Sequence, residues 1–581
     1  MERNLRNNTG SRIIAMTSLA YKFSDAIKVM ARGSFDGDNF VDTEKSYFGT
    51  YRDPAGRFQV GESSGNQVNG DLLATYDKDV AKDWNVNFNL GASIRSYRNN
   101  TMTASTGTAM LVPNFFALTN TTLPTATYFP GSNYETHSLY SSATIGFKNA
   151  IYLDVTGRND WSSTLPSANR SYFYPSLGLG VILSDLMTLP SAITFAKIRG
   201  TWAQVGNSPS PYQLERTAVF SAGGNLGFLA LSGTLPNANL HAETTVSTEL
   251  GLDARFLNNR LGFDLTLYKT NTKDQLFTIA LPVGSGASLA FINGGDVQNK
   301  GFEAVITSTP VKTANFNWDF NVNFAVNKNK VLKLSDERPR LVVGGDSFFR
   351  DFVVEQGQPY GRLYSRGFVR DTQGRVVVGA NGLPTYTAAK SVLIGDINPD
   401  WTGGISSSLS YKRLSASFTI SHKQGGIVGS LTDAILAGSG LLEETTIGRD
   451  GTLVFGRDVF KNEVGVKADG TPNTTPVTAQ AFWQGIGGRN APVGEAFISD
   501  ATNTRLREFV LGYNIPKTVF GKLPVSAVKL SLVGRNLLFF YRASKTLDPD
   551  FTAGIGNDSD GFQSFAPPTT RSYGLNLKID F

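Results

Sequence analysis

The chain has 581 residues, 54 Lys and Arg against 48 Asp and Glu (formal net charge +6), and 60 glycines and 39 phenylalanines, but no cysteine and only three histidines. Without cysteine the chain has no disulfides or thiol chemistry, and three dispersed histidines give little basis for zinc sites or histidine catalysis. The basic residues are spread along the chain, which argues against nucleic-acid binding, and no apolar run approaches the roughly 18 residues of a transmembrane helix.

Period-two alternation of apolar and polar residues recurs from end to end and predicts β-strands. It is clearest from Phe316 to Val326, where apolar residues occupy every second position and Asn or Asp most of the positions between them. We predict about 17 strands, mostly of about ten to fourteen residues. They begin near residues 11, 25, 67, 84, 137, 150, 171, 192, 243, 260, 296, 316, 400, 414, 502, 525 and 572.

The lengths of these strands favour a membrane location. Strands of soluble sandwiches average about five or six residues, whereas a tilted strand that crosses a bilayer needs about nine to eleven. The sequence therefore predicts an all-β protein, a transmembrane antiparallel β-barrel, with its apolar face toward lipid and its polar face toward the lumen.

The connections between the predicted strands alternate between long and short. Outer-membrane barrels place short turns in the periplasm and long loops outside the cell, and this pattern fits that arrangement. The long links are 37–66, 96–136, 160–170, 206–242, 273–295, 329–399, 425–501 and 538–571, and the short ones include 23–25, 148–149, 258–259 and 412–413.

The last predicted strand ends the chain on an aromatic residue. We interpret its alternating apolar residues as the signal that barrel-assembly machinery reads: Tyr573, Leu575, Leu577, Ile579 and Phe581.

Several motifs resemble the SusC/RagA family of TonB-linked outer-membrane transporters over nearly the whole chain. They are GRNDWSSTLP at 157–166, NGGDVQNKGFE at 293–303, GDINPDWTGG at 395–404, RLRE at 505–508, LGYNIP at 511–516 and GRNL at 534–537. The resemblance implies a plugged barrel of about 22 strands, preceded by a signal peptide, a small β-sandwich, a TonB box and a plug. Since the sequence shows none of these segments and about five strands too few, we interpret residues 1–581 as an N-terminally truncated barrel domain, from a fragment or a split gene.

The resemblance also implies a function. The intact protein would import a bulky nutrient across the outer membrane, most often a glycan oligosaccharide and sometimes a peptide. A SusD-like surface lipoprotein would be its partner, and TonB–ExbB–ExbD would act only through the missing plug. The alternatives are a siderophore or cobalamin receptor, a non-transporting surface receptor or adhesin, and an outer-membrane hydrolase, although no catalytic constellation is present and we expect no enzyme.

Aromatic and amide residues of two long loops are the candidates for ligand binding, because sugars stack on aromatic rings and accept hydrogen bonds from polar side chains. Packing between loops is the alternative for each: Phe482, Trp483, Gln484, Phe540, Tyr541, Phe562 and Phe565. No cofactor is expected. Calcium in an extracellular loop is a weaker possibility than a solvated loop, and the acidic residues have no EF-hand spacing: Asp36, Asp38, Asp42, Asp558 and Asp560.

Overall fold

The computed structural model describes residues 4–129, 131–221, 227–334, 338–521, 523–550, 561–566 and 569–581. Within these ranges the main sheet has nineteen strands, two of them short segments (Thr125–Phe129 and Thr234–Leu235) and seventeen long. The long strands are numbered β1 Leu5–Lys22, β2 Ile27–Ser46, β3 Arg57–Ala81, β4 Trp84–Ser105, β5 Asn133–Phe147, β6 Ile151–Ser162, β7 Ser171–Ile182, β8 Ile193–Asn207, β9 Glu243–Phe256, β10 Leu261–Ala280, β11 Leu289–Lys312, β12 Phe316–Lys333, β13 Trp401–Tyr411, β14 Leu414–Gln424, β15 Asn503–Ile515, β16 Ala527–Arg542 and β17 Ser572–Asp580.

Each long strand pairs antiparallel with the next one along the chain, which makes the sheet a continuous meander. Within the described ranges β1 pairs only with β2 and β17 only with β16. The predicted all-β architecture and the positions of all 17 predicted strands are confirmed.

The two faces of the sheet differ as the alternation predicts. On β12 the apolar residues pair with apolar residues of β11, for example Val326 with Phe302, and Phe302 pairs in turn with Leu267 of β10. These rows form an exposed apolar surface, and Leu267 keeps 54% of its area exposed. The short turns are also as predicted, since Lys148 and Asn149 both have positive φ, as a two-residue type I′ hairpin turn requires.

Several strands are longer than the sequence predicted. β3 has 25 residues and β11 has 24, so much of the predicted loops at 37–66 and 273–295 is strand. The predicted loop position of Asp36, Asp38 and Asp42 is therefore wrong, because all three lie on β2. Above the membrane both faces of a strand are wet, so the ladder hydrogen bonds continue while the alternation that reveals a strand disappears.

The links between the long strands carry the remaining secondary structure. The helices are α1 Leu183–Leu186, α2 Leu431–Gly438 and α3 Ala479–Ile486, with short 3-10 turns at Val283–Ser285, Glu443–Thr446, Gly494–Phe497 and Lys517–Val519. The short strands are Ala218–Ser221, Phe228–Leu231, Arg340–Gly345, Arg350–Glu355, Arg362–Ser365, Val376–Val377, Val392–Asp396, Ile427–Ser430, Gly465–Val466, Ile498–Asp500 and Phe562–Gln563. In the described ranges no helix has both the length and the apolar character needed to cross a membrane.

The hydrophobic core lies at the long-link end of the sheet. The largest cluster of buried side chains comes from three links, 338–400, 425–502 and the described part of 543–566, which together we call the loop cap. The sheet itself supplies few buried residues, because its apolar side chains face outward. The molecule therefore has two parts, a wall made of strands and a folded cap at one end of the wall.

Candidate functional site

The inner face of the wall is a network of polar side chains. The Arg199 guanidinium donates hydrogen bonds to Asp264 (2.7 Å) and to Thr266 (2.8 Å), two strands away. It passes over Gly251 on the strand between them, where a Cβ atom would come within 2.5 Å of the guanidinium carbon. A larger residue at this position would therefore displace the Arg199 side chain, and the inner face presents paired charges and hydroxyls.

The loop cap has a core of its own, in which aromatic rings from different links meet. The Phe349 ring lies 5.5 Å from that of Phe562 between centroids, although the two residues are more than 200 positions apart in the sequence. Phe482 of α3 packs against Phe455 and Phe460, at centroid distances of 6.1 and 6.0 Å. The three links therefore form one folded unit.

A second cluster of buried residues joins the cap to the wall. Phe277, Val297 and Val331, near the ends of wall strands, pack against Phe352 and Leu363 of the first link. These five side chains are buried, three of them completely. The cap therefore rests on the wall through an apolar contact.

Buried charges attach the last link to β15. The Arg505 side chain is 4% exposed and forms an ion pair with Asp548, whose side chain is 6% exposed. Its guanidinium carbon also lies 4.2 Å from the centroid of the Phe539 ring. Next to it Arg507 forms an ion pair with Asp550. Arg505 and Arg507 are the two arginines of the RLRE motif. The structure therefore gives this motif a role in anchoring the last link to the wall.

A further ion-pair cluster holds the first and second links together. Arg370 of the first link pairs with Glu463 and with Glu495 of the second, each at 2.6 Å. The hydrogen bond with Glu463, and then that with Glu495, raises the pKa of Arg370, so its charge is permanent. In α2, burial raises the pKa of Asp433, which accepts a hydrogen bond from Thr546 of the last link.

Helix α3 lies between two open clefts of the cap. One has a volume of about 460 Å³, and Arg449, Gln480, Trp483 and Gln484 are among the residues that line it. The other has a volume of about 360 Å³ and is bounded by Gly485 and residues of the first link. Both volumes fall within the usual range for small-ligand sites, which is about 300–1,000 Å³.

The lining of the larger cleft offers hydrogen-bond donors on a fixed frame. The Arg449 Nε donates to the Thr445 carbonyl (2.9 Å), and its Nη2 donates to the Thr445 hydroxyl (2.7 Å) and to the Gly440 carbonyl. The Trp483 Nε1 is buried and has no hydrogen-bond partner among the described residues. The guanidinium of Arg449 and the side-chain amides of Gln480 and Gln484 suit a ligand rich in hydroxyl or carbonyl oxygens.

The structure separates the predicted ligand-binding residues into two groups. Phe482, Trp483 and Phe562 are 0%, 4% and 5% exposed and belong to the cap core, so packing accounts for them. Gln484 is exposed and lines the larger cleft. Phe565 is exposed on the cap, and the remaining two, Phe540 and Tyr541, are exposed near the end of β16. No periodic pattern marks Arg449 and Gln480, which the structure adds to the cleft.

Two of the acidic residues considered for calcium form ion pairs with arginines. Arg12 donates hydrogen bonds to Asp36, and Arg6 to Asp42, across β1 and β2. The described ranges contain no group of three or more His, Asp or Glu side chains that could hold a metal ion. Asp558 and Asp560 lie outside the described residues.

Comparison with known proteins gives the following sequence matches. The family model described as "TonB dependent receptor-like, beta-barrel" matches residues 2–426. TonB-dependent receptor P26 of Formosa agariphila is 28% identical over 488 residues, which cover 78% of this chain and 46% of the relative. TonB-dependent receptor SusC of Bacteroides thetaiotaomicron is 24% identical over 74% of this chain and 42% of the relative. The chain thus spans about half the length of the curated relatives it matches.

Among solved structures, that of the RagAB peptide transporter superposes with a TM-score of 0.79 at 18% identity, over 100% of this chain and 63% of the other. A structure of the RagAB peptide importer in an "open-open" state gives a TM-score of 0.78 at 19% identity. At these identities the likeness establishes the fold, a barrel wall with large loops.

Proposed function

Because this chain belongs to the TonB-dependent receptor β-barrel family and forms an outer-membrane barrel wall, we propose that it is the cargo-contacting part of an importer for bulky polar nutrients. The resemblance to SusC/RagA receptors is confirmed at the level of the family, which is one of receptors rather than enzymes. The proposed cargo is an oligosaccharide.

One observation carries the proposal: the long links fold into a single cap that holds two clefts at one end of a polar-lined wall. Loops that only shield a pore need no common core. Here Arg449, Gln480 and Gln484 stand at the rim of a cleft large enough for one or two sugar units, on a frame stabilised by buried aromatic rings. Preorganised polar groups of this kind reduce the entropic cost of binding a ligand with many hydroxyl groups.

A short peptide is the second candidate for the cargo. A solved structure with the same fold is named as a peptide transporter, and peptide carbonyl groups accept hydrogen bonds from the same guanidinium and amide donors. The two cargo classes differ in that a peptide brings charged ends, which a neutral oligosaccharide lacks.

Other parts of the assembly would supply the energy for import and would capture the cargo. β1 and β17 present unpaired edges within the described residues, and open edges are not tolerated in hydrocarbon, so about five more strands would complete the wall. A plug contacted by TonB–ExbB–ExbD would supply the energy, and a SusD-like lipoprotein over the cap would capture the cargo. Barrel-assembly machinery would insert the protein by reading β17.

Uptake by cells that carry the complete gene tests the proposal. We expect deletion to abolish growth on the oligosaccharide that is the cargo, within a panel of oligosaccharides and peptides supplied as sole carbon source. The double change Gln484→Ala and Arg449→Ala should weaken cargo binding roughly tenfold, because two net hydrogen bonds are lost. Gln373→Ala, which removes an exposed glutamine elsewhere on the cap, is the matched control.

Other outcomes distinguish the alternatives. A deletion strain that grows on the whole panel but fails under iron or cobalamin limitation would make the protein a siderophore or cobalamin receptor. A strain that loses ligand binding at the cell surface without losing uptake would make it a surface receptor or adhesin. Equal binding by the Gln484/Arg449 double variant and by the control would remove the cleft from the cargo site.

A further inference from the structure

A row of lysines lies on the outward face of the wall. Lys269 of β10 pairs in register with Lys300 of β11, and Lys300 pairs with Lys328 of β12. All three side chains are exposed. They share a face with Leu267, two residues along β10 from Lys269, because successive side chains of a strand alternate between faces. The row therefore points away from the lumen.

The position of the row can be derived from β12. Its outward residues from Phe316 to Val326 are all apolar, and these ten steps extend about 34 Å along the strand. At a tilt of about 40° this length spans about 26 Å of membrane, which matches the apolar band of about 25 Å in outer-membrane barrels. Lys328 is the next outward residue and lies on the side of the long loops. It is therefore at the headgroup level of the outer leaflet.

Tryptophans on both sides of the lysine row indicate the same position, at the headgroup level of the membrane. Trp202 of β8 continues the row, because it pairs with Thr248 and Thr248 pairs with Lys269. On the other side the Trp401 ring lies 5.5 Å from that of Phe324, between centroids. Tryptophans concentrate where the hydrocarbon of a membrane meets its headgroups.

The charges of the row have no partners among the described residues. In the described ranges Lys269, Lys300 and Lys328 form no ion pair and no side-chain hydrogen bond. Neither does Lys330, one row farther out. The nearest carboxylate on this face in register is Asp296, two rows farther out, which accepts a hydrogen bond from Asn271.

Like charges placed directly opposite each other on neighbouring strands destabilise a sheet. The backbone positions of the three lysines lie within about 10 Å, since adjacent strands are about 4.8 Å apart. On the inner face of the same sector, by contrast, Arg199 is matched by Asp264. An external anion at headgroup level would remove the repulsion.

We propose that Lys269, Lys300, Lys328 and Lys330 bind the phosphate groups of a glycolipid of the outer leaflet, such as the lipid A part of lipopolysaccharide. Lysine binds phosphate through the positive charge of its ammonium group. The aliphatic stem of a lysine can lie along the apolar band while the ammonium group reaches the headgroups. The acyl chains of the lipid would cover the apolar surface formed by Leu267, which continues the row toward the periplasm. This site is independent of the cargo and of the proposed transport.

The test measures binding of lipid A to the delipidated full-length receptor in detergent, by native mass spectrometry, with phosphorylated and dephosphorylated lipid A as probes. The triple change Lys269→Gln, Lys300→Gln and Lys328→Gln should weaken binding of the phosphorylated form on the order of a hundredfold, because each cation near an anionic lipid surface contributes about fivefold. The matched control removes three lysines at the short-turn end of the wall, Lys82→Gln, Lys312→Gln and Lys412→Gln, and should bind as the wild type does.

A second variant, with all three lysines of the row changed to Arg, keeps the charge and should retain binding. Equal binding of the dephosphorylated lipid, an equal loss in the short-turn control, or unchanged binding in the triple Gln variant would overturn the proposal. Inorganic phosphate at the same concentration should not compete with the lipid. Full competition would mean a general anion site and would overturn the assignment to a lipid. Each variant is first checked for the heat-modifiable electrophoretic mobility of a folded barrel.

Discussion

Replacement of Phe482 by alanine should open the loop cap while leaving the wall intact. The side chain is fully buried, and its ring packs against Trp483 at 5.2 Å between centroids and against Phe460 at 6.0 Å. A buried Phe→Ala change costs about 3–5 kcal/mol, which raises the population of the open cap on the order of a thousandfold. Amide hydrogen exchange in residues 425–502 should accelerate by that factor, with no change in the wall strands, which do not share this core.

Hydrogen exchange with mass-spectrometric detection on the full-length receptor measures the effect. Phe565→Ala is the matched control, because this phenylalanine is 61% exposed on the same cap and its loss should change stability by no more than about 0.5 kcal/mol. The reasoning fails if Phe482→Ala leaves exchange in the second link unchanged and still reduces cargo binding. That result would give the ring a direct contact with ligand, which its burial argues against.

Three further predictions concern the anchor, the last strand and α2. Arg505→Ala should release the last link, because Asp548 would keep a buried unpaired charge that destabilises the docked link by about 3–5 kcal/mol. Unchanged protease resistance of residues 543–550 would contradict this prediction. Leu575→Arg should lower the yield of heat-modifiable barrel, since an arginine facing lipid costs up to about 2–4 kcal/mol, whereas Asn576→Arg on the opposite face should not. Burial raises the pKa of Asp433, so the folded cap binds that proton more tightly and loses stability as the pH rises from about 3.9 to the raised value. Asp433→Asn should remove this dependence, and equal pH profiles of the thermal unfolding midpoint in the two proteins would count against it.

The wall could be predicted from the sequence because the membrane imposes its pattern on the chain. Within the apolar band every outward residue is in contact with lipid, so the run from Phe316 to Val326 alternates without interruption. Beyond the band that constraint ends. β3 continues to 25 residues, although its stretch GESSGNQ at 61–67 has no apolar side chain on either face and therefore resembles a loop. The number of strands was therefore predictable, while their length above the membrane was not.

The cap could not be predicted, because its core depends on contacts between distant links. The rings of Phe349 and Phe562 pack against each other although more than 200 residues separate them, and neither lies in a periodic pattern. An aromatic residue in a long polar loop reads equally well as a ligand contact or as a packing residue. Trp483 and Gln484 are neighbours on α3, yet one is 4% exposed and the other is exposed. Only the direction of the helix in the folded cap distinguishes the two roles.

The period of two lets neighbouring residues of one strand serve separate tasks. On β12 Val326 and Lys328 face the membrane, whereas Asn327 faces the lumen and accepts a hydrogen bond from the Tyr268 hydroxyl at 3.2 Å. Lipid contact and the polar lining of the lumen are therefore encoded at alternate positions, with no side chain in common. Because the two faces share only the backbone, a change at Lys328 should alter lipid binding without altering cargo binding, and a change at Asn327 should do the reverse. The anchor residues differ in this respect, since Arg505 connects the wall to the cap and its loss should affect both binding of cargo and folding of the last link.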